Sequence, residues 1–558
     1  MLRLALSIPA STATAAALAL CFPAWAQKRK RLLLAAAAAY SLLAALTLAK
    51  NAVKGGLALP LKAGLPWLDG WLLRCGPLFH IDGLALSALA AICALNFAGA
   101  LHNYSRQNRE GALSPQAAGL SMALLCLALL SASLPWTFAL LCCADACAFS
   151  GSRKNPGAFA ALLLPCLPAG LAVFAVAGAS GTFSAHMLDV QRDAALLPRA
   201  ALELPAWLLG AAAAMRLFAP PFTTLAPALA KTDFASSQLT LCAAPLAWFA
   251  TLARLDPVLA PAMDNGLAFW AALAAFCALA LRAILARDAK QAAGGAAAAA
   301  STGALLLCAL GNYQSGALFL FSTLPACALA LACSDSVDKT FGTSLFEKLG
   351  RARFAMPITH LAAMLAALSI AGLPPFSGFY ALKAALGALS SSQQPLALTL
   401  FCGAALISGA AAVRSFHLIF NGEHAPDAHD SAAEAPLPEL SALIFLSCMT
   451  LFSGWLFSRA AVLPLMLALP HAQGHETLLW GLAAAGLAAA AVMIEIFYQT
   501  RWRWQRKPSR RRPAEAIAWL LELRPAALAA TALLSGGVWL SGALERLTSG
   551  EKNGERRA

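Results

Sequence analysis

Apolar runs of about 18 residues or more, each enough to cross a hydrocarbon core of roughly 30 Å, follow one another from one end of this chain to the other. On that length threshold about fourteen to sixteen can be counted. Lipid offers no partner to a backbone N–H or C=O, and the runs are too long for barrel strands, so each must be a helix that closes its own hydrogen bonds. The expectation is an all-α polytopic membrane protein. Composition points the same way, with 60% of 558 residues hydrophobic, only 12% charged and a mean hydropathy of +0.69. No segment reads as a sizeable soluble domain.

The formal net charge of +14 would suit nucleic acid only if the basic residues lined a folded soluble surface. They stand instead in short stretches between apolar runs: Lys28-Arg29-Lys30-Arg31, then Arg153 and Lys154, then Lys339, Lys348, Arg351 and Arg353, and finally "RWRWQRKPSRRRP" from Arg501. Positive residues in short loops stay cytoplasmic. The helix order places all four groups on one side and the N-terminus outside, as in a bacterial inner-membrane protein. The expected partners are therefore the bilayer and other membrane subunits, with no nucleic acid. The first 27 residues also have the form of a secretory signal peptide ending in "AWAQ", but the KRKR run that follows opposes export and suits a retained first helix.

Most of the fifteen cysteines lie inside apolar runs, where disulfides are not expected. "CCADAC" (Cys142 to Cys147) crowds three thiols near Asp145, yet its spacing matches no standard ligand set, and the chain fills helix interfaces throughout with Ala, Cys, Ser and Gly. The loop 421–439 gathers His424, Asp427, His429 and Asp430 in a spacing that fixes no coordination geometry, so it reads as solvated. No metal site and no bound cofactor is expected.

The predicted helices lie near 4–25, 32–50, 81–102, 116–134, 136–150 and 158–179, then 200–218, 237–253, 266–285, 296–311 and 314–334, and finally 355–384, 396–421, 437–457, 476–498 and 525–544. Polar loops are expected at 335–353 and 421–439. Two runs break themselves. In "MRLFAPPFTTLAPALAKTDFASSQLTL" (Met215 to Leu241) the interruption comes from Pro220, Pro221 and Pro227; in "AGLPPFSGFYALKAAL" (Ala371 to Leu386) it comes from Pro374 and Pro375 between Gly372 and Gly378. Proline removes a donor and clashes with the preceding turn, so the freed carbonyls need partners at membrane depth. Paired breaks in corresponding halves point to inverted repeats with a polar path between them. The separation of about 150 residues suits five-helix repeats.

At these residues the sequence resembles the antiporter-like membrane subunits shared by respiratory complex I (NADH-quinone oxidoreductase), Mrp-type cation/proton antiporters and energy-converting hydrogenase or formate hydrogenlyase complexes. "MPITHLAAMLAALSIAGLPPFSGFYALKAAL" is similar to that family's twelfth helix, "AAVRSFHLIFNGEH" with Arg414 to the helix end after it, and "HIDGLALSAL" with Asp82 and Gly83 to an early Asp-Gly-Leu-Ser segment. The resemblance covers roughly residues 78–425, an antiporter-like core between N-terminal helices with an outside loop (1–77) and C-terminal helices with a basic loop (426–558). It implies two inverted five-helix bundles, each with a broken helix, and a half-channel of buried charge. It also implies redox-driven proton or sodium translocation powered by membrane and peripheral partner subunits. The chain itself then carries no redox chemistry and is a non-catalytic subunit.

Departures from the family pattern are informative. The family's lysine in the seventh helix falls on Arg216, five residues before a proline, and arginine cannot relay a proton by titrating. The fifth helix lacks the usual glutamate, and its nearest acid is Asp145, which could form a static ion pair with Arg216. In the eleventh helix the family's histidine and lysine fall on Thr323 and Cys327. Lys290, in "RDAKQAAGG", stands where the family has a lysine at a helix entrance, and both an interfacial and a functional role remain open. Lys383, one position past the expected twelfth-helix lysine, is a functional candidate by its depth, with snorkelling to the surface as the alternative. Three readings follow: a pump subunit with a depleted central path, an Mrp-type antiporter subunit, and a non-conducting membrane anchor.

Overall fold

The computed structural model describes residues 2–21, 27–53, 61–63, 79–104, 114–149, 162–180, 196–219, 222–264, 266–421 and 433–458. Among these, eight helices are long and apolar enough to cross a membrane, and four more apolar helices are shorter. The molecule is an all-α, multi-pass membrane protein. The expected helices at 476–498 and 525–544, the last basic cluster, the residues Pro220 and Pro221, and His424, Asp427, His429 and Asp430 lie outside the described residues.

The chain opens with α1 (Leu2–Cys21) and α2 (Gln27–Val53). The KRKR run is not a loop, as expected from charge, but the first turn of α2. A short antiparallel pair, β1 (Leu61–Ala63) and β2 (Phe79–Ile81), precedes α3 (Gly83–His102), whose N-cap is Asp82. Next come α4 (Pro115–Leu130), α5 (Leu134–Phe149), α6 (Cys166–Ser180) and α7 (Arg199–Arg216). Short helices α8 (Leu225–Ala230) and α9 (Phe234–Gln238) lead through a π-helical turn, Leu239–Ala243, into α10 (Ala244–Arg254). Then follow α11 (Asp256–Asp264), α12 (Leu267–Leu285), α13 (Ala289–Ala309) and α14 (Tyr313–Phe341). The last four are α15 (Pro357–Ile370), α16 (Ser377–Ser391), α17 (Pro395–Phe420) and α18 (Leu437–Ser458). Helix α14 runs two turns into the stretch 335–353 expected to be loop, because Asp335, Asp338 and Lys339 find buried partners there rather than water.

Helices α13 and α14 form the centre, packed on α12, α15, α16 and α18. The sequence of α13, "AKQAAGGAAAAASTGALLLCA", explains why it can sit there. In lipid, helices associate by close packing rather than by expelling water, and small side chains permit the closest approach. A Cβ placed on Gly294 would stand 2.4 Å from the Ala230 methyl, and one on Gly303 2.7 Å from the Phe319 ring. Glu434, in the segment before α18, accepts from the Ile358 N–H and the Thr359 hydroxyl at 2.7 Å each, satisfying the start of α15. One pair of cysteines departs from expectation: Cys142 of α5 and Cys166 of α6 are joined by a disulfide. Antiparallel neighbours bring the two within bonding reach, a proximity that the sequence does not display.

Candidate functional site

The second helix break is built from local chemistry. After Ile370 the chain turns at Gly372, whose φ of 76° lies in the left-handed region that favours glycine. The Leu373 N–H donates to the Leu368 carbonyl and the Gly372 N–H to the Ser369 carbonyl, the two bonds of a Schellman stop. Pro374 and Pro375 cannot continue the helix, and α16 restarts at Ser377. Three side-chain bonds then answer the groups the break frees. The Gly378 N–H donates to Ser369 Oγ at 3.1 Å, the Ser377 hydroxyl to the Ser322 carbonyl of α14 at 2.7 Å, and the two serine oxygens lie 3.2 Å apart. Gly378 is required by space, since a Cβ there would fall 1.8 Å from the Ser369 carbonyl oxygen.

Beside this break is a cavity of about 60 Å³ between α13, α14, α16 and α17, lined by Thr323, Cys327, Gly372 and Gly378 among alanine, leucine and phenylalanine side chains. Among the described residues, no charged side chain lines it. Leu382 and Leu386 face it, whereas Lys383, half-buried, is rotated about 100° from Leu382 on the same helix. The structure thus keeps Lys383 out of the cavity lined by Thr323 and Cys327.

At the first break the arrangement is the opposite, charged and tightly held. Arg216 is the last residue of α7, and both its side chain and that of Asp145 on α5 are fully buried. Arg216 Nε donates to Asp145 Oδ2 at 2.9 Å and Nη2 donates to Oδ1 at 2.8 Å, a planar two-bond fork. Nη2 also donates to the Thr240 carbonyl at 2.9 Å. That acceptor is available for a reason written in the sequence. Within the π-turn the Ala244 N–H reaches back five residues to Leu239, so the Thr240 carbonyl faces residue 245, which is proline and has no N–H. The guanidinium fills the vacancy. Its carbon also lies 5.7 Å from the centre of the Phe218 ring, a residue whose φ of 63° folds the chain back over Arg216.

Two further basic residues lock the frame. Arg254, at the end of α10, grips Asp82 through Nε to Oδ2 at 2.8 Å and Nη2 to Oδ1 at 2.9 Å, and donates to the Leu129 carbonyl at 3.0 Å. Asp82 simultaneously accepts from the Ala85 N–H, so one carboxylate caps α3 and ties it to α10, while Arg254 extends the joint to α4. Arg414 of α17 donates to the carbonyl of Ala286, the C-cap of α12, at 3.1 Å, and lies 5.3 Å from the Phe346 ring centre. Both are joints between helices.

Lys290 is buried and is the edge of a cluster the sequence reading missed. Its Nζ donates to Asp335 Oδ1 at 2.9 Å and to Asp338 Oδ2 at 2.8 Å. Asp335 Oδ2 is 3.0 Å from Lys339 Nζ, which also donates to Glu439 Oε1 at 2.9 Å and lies 3.1 Å from Nε2 of His102. The ends of α3 and α14 and the starts of α13 and α18 meet here, on the side of the basic loop 339–353. A signal was present: "SDSVDK" closes an apolar run with two acids and a lysine on adjacent helical positions, opposite "RDAK".

Comparison with known proteins bears on the core of the chain. Residues 171–408 match the family described as NADH:quinone oxidoreductase/Mrp antiporter, TM. The match falls within the 78–425 expected from the motifs. No curated protein sequence matches the chain. Among solved structures, a chain of the Mrp complex from Dietzia sp. DQ12-45-1b is similar with TM-score 0.76 and 17% identity over 96% of this chain, which spans 60% of that longer one. A chain of the archaeal membrane-bound sulfane sulfur reductase gives TM-score 0.70 and 16% identity over 80% of this chain and 75% of its own. One from respiratory complex I of Thermus thermophilus gives 0.67 and 19%, covering 88% of this chain and all of its own. At these identities the likeness is one of fold.

Proposed function

We propose that this chain is an antiporter-like membrane subunit of a redox-driven complex in a bacterial inner membrane, one whose central proton path has been replaced by fixed structure. The observation that carries the reading is the Arg216–Asp145 fork with its third bond to Thr240. A guanidinium does not give up its proton within a protein, and here its geometry is pinned by three bonds and full burial. The second half offers no replacement, because the cavity at Thr323 and Cys327 has no titratable partner for a proton at neutral pH. An Mrp-type exchanger, which needs charge that binds and releases at the midplane, is less well served by this interior than a subunit that seals and docks. The chain's role is then to hold partner subunits in the membrane while redox chemistry and most ion movement occur elsewhere. The excess of positive residues in the 339–353 loop supports a cytoplasmic position for it and for the Lys290 cluster beside it.

Proton and sodium flux in proteoliposomes tests the reading, first with the purified subunit and then with the co-purified assembly. Replacing the pair by apolar residues (Asp145→Leu with Arg216→Met) is expected to leave flux unchanged, as is Lys383→Ala. Loss of flux with the pair would show that the first half conducts; loss with Lys383→Ala alone would make the chain a working channel with a displaced path.

A further inference from the structure

Away from the Arg216–Asp145 pair, the structure gathers six ionisable side chains at one place, and one nitrogen among them cannot satisfy both of its neighbours. His102 is fully buried, and its Nε2 lies 3.1 Å from Lys339 Nζ and 3.2 Å from Asp335 Oδ2. Toward Lys339 this nitrogen must be a bare acceptor; toward Asp335 it must carry a proton and donate. The two bonds exclude one another. The ammonium of Lys339 has three N–H groups and three acceptors in reach: Asp335 Oδ2 at 3.0 Å, Glu439 Oε1 at 2.9 Å and His102 Nε2. With all three bonds made, the ring is neutral and its remaining proton sits on Nδ1, which has no hydrogen-bond partner among the described residues.

The charges around the ring are unbalanced. Lys290 and Lys339 contribute two positive charges; Asp335, Asp338 and Glu439 contribute three negative ones. The remaining face of His102 is covered by the Phe234 ring at 4.4 Å between centres, and the buried Asp233 precedes that residue. The five charged side chains that bind one another there thus sum to −1, and one proton on the imidazole closes the balance.

We infer that His102 is a proton-binding site, reached from the aqueous side through Lys339. The Lys339 side chain is 16% exposed and that of Asp338 26%, against 0% for His102, so the cluster has a wet edge and a dry end. In the loading step an Nζ–H bond of Lys339 breaks and an Nε2–H bond forms on His102. The neutral amine left behind takes a proton from hydronium on the aqueous side, leaving water, so the cluster gains one proton in all. The new ring N–H then donates to Asp335 Oδ2, and Lys339 keeps only Asp335 and Glu439. Loading therefore exchanges one contact between α3 and α14 for another and leaves Lys339 committed to α18. This goes beyond the proposed function, since it concerns proton binding by the chain alone and holds whether or not an ion crosses.

The test is magic-angle-spinning NMR of the full chain, labelled with ¹⁵N-histidine, in lipid nanodiscs across a pH series. The His102 signal is identified among nine histidines by its loss in His102→Gln. The expected result is an Nδ1–H neutral ring at high pH that becomes doubly protonated on acidification. Glu439→Gln should weaken proton binding on the order of 10-fold and Lys339→Gln strengthen it on the order of 10-fold, since each changes one nearby charge. Should Lys339→Gln fail to fold, Asp338→Asn, the more exposed carboxylate, gives a smaller shift in the direction of Glu439→Gln. A high-pH ring protonated on Nε2, a ring that never gains a second proton, or midpoints unmoved by these variants would each overturn the inference.

Discussion

Removing Asp145 tests whether the buried Arg216–Asp145 charge is architecture. Asp145→Ala takes both carboxylate acceptors from a guanidinium that is fully buried and leaves it only the Thr240 carbonyl. Two unit charges about 4 Å apart interact by about 4 kcal/mol at an effective dielectric constant of 20. Breaking one side of a buried pair generally costs about 3–5 kcal/mol, because the survivor stays charged without its partner. A loss of about 3–5 kcal/mol is therefore expected for Asp145→Ala. Arginine has no low-energy escape by losing its proton. The double replacement Asp145→Leu with Arg216→Met should recover most of that loss, since an apolar pair of similar size avoids the desolvation that the ion pair must offset. Reversible unfolding by SDS in mixed micelles, run as a double-mutant cycle, reads both quantities. A single mutant within about 1 kcal/mol of wild type, or a double mutant no better than the sum of its singles, would refute a static, mutually dependent pair.

Other parts of the frame give sharper yes-or-no outcomes. Gly378→Ala should destabilise by about 3 kcal/mol, as its methyl would overlap the Ser369 carbonyl, whereas Gly210→Ala, with open space around it, should gain about 0.5–1 kcal/mol from helix propensity; thermal unfolding in fixed lipid compares them. Glu434→Ala should cost about 1 kcal/mol by unbinding the start of α15, and hydrogen exchange at residues 357–360 should rise with it. A small membrane-permeant maleimide should label the exposed Cys143 and Cys448 and spare the buried Cys93 and Cys327, with two more labels, at Cys142 and Cys166, only after reduction. Labelling of Cys327 in the folded protein would show that its cavity is open to reagents and wetter than its lining suggests.

What the sequence determined on its own is the class and the punctuation. Uninterrupted apolar length admits helices alone in lipid, and Gly372-Leu373-Pro374-Pro375 can stop a helix but cannot continue one. Even the acceptor for Arg216 was legible in part, since Pro245 must leave a carbonyl free, although which one depended on the π-turn. Charge read as loop, by contrast, misplaced both KRKR and the end of α14, because hydropathy registers a lysine or aspartate as polar whether it meets water or a partner. Only tertiary structure decided those cases. Asp335 is held within α14 by Lys290 and Lys339, His102 reaches it across 233 positions of sequence, and Glu439 arrives from a helix beyond an intervening loop. A buried charge is stable only where opposite charge converges on it from several directions, and such convergence belongs to the packing of helices, which no single stretch of sequence contains.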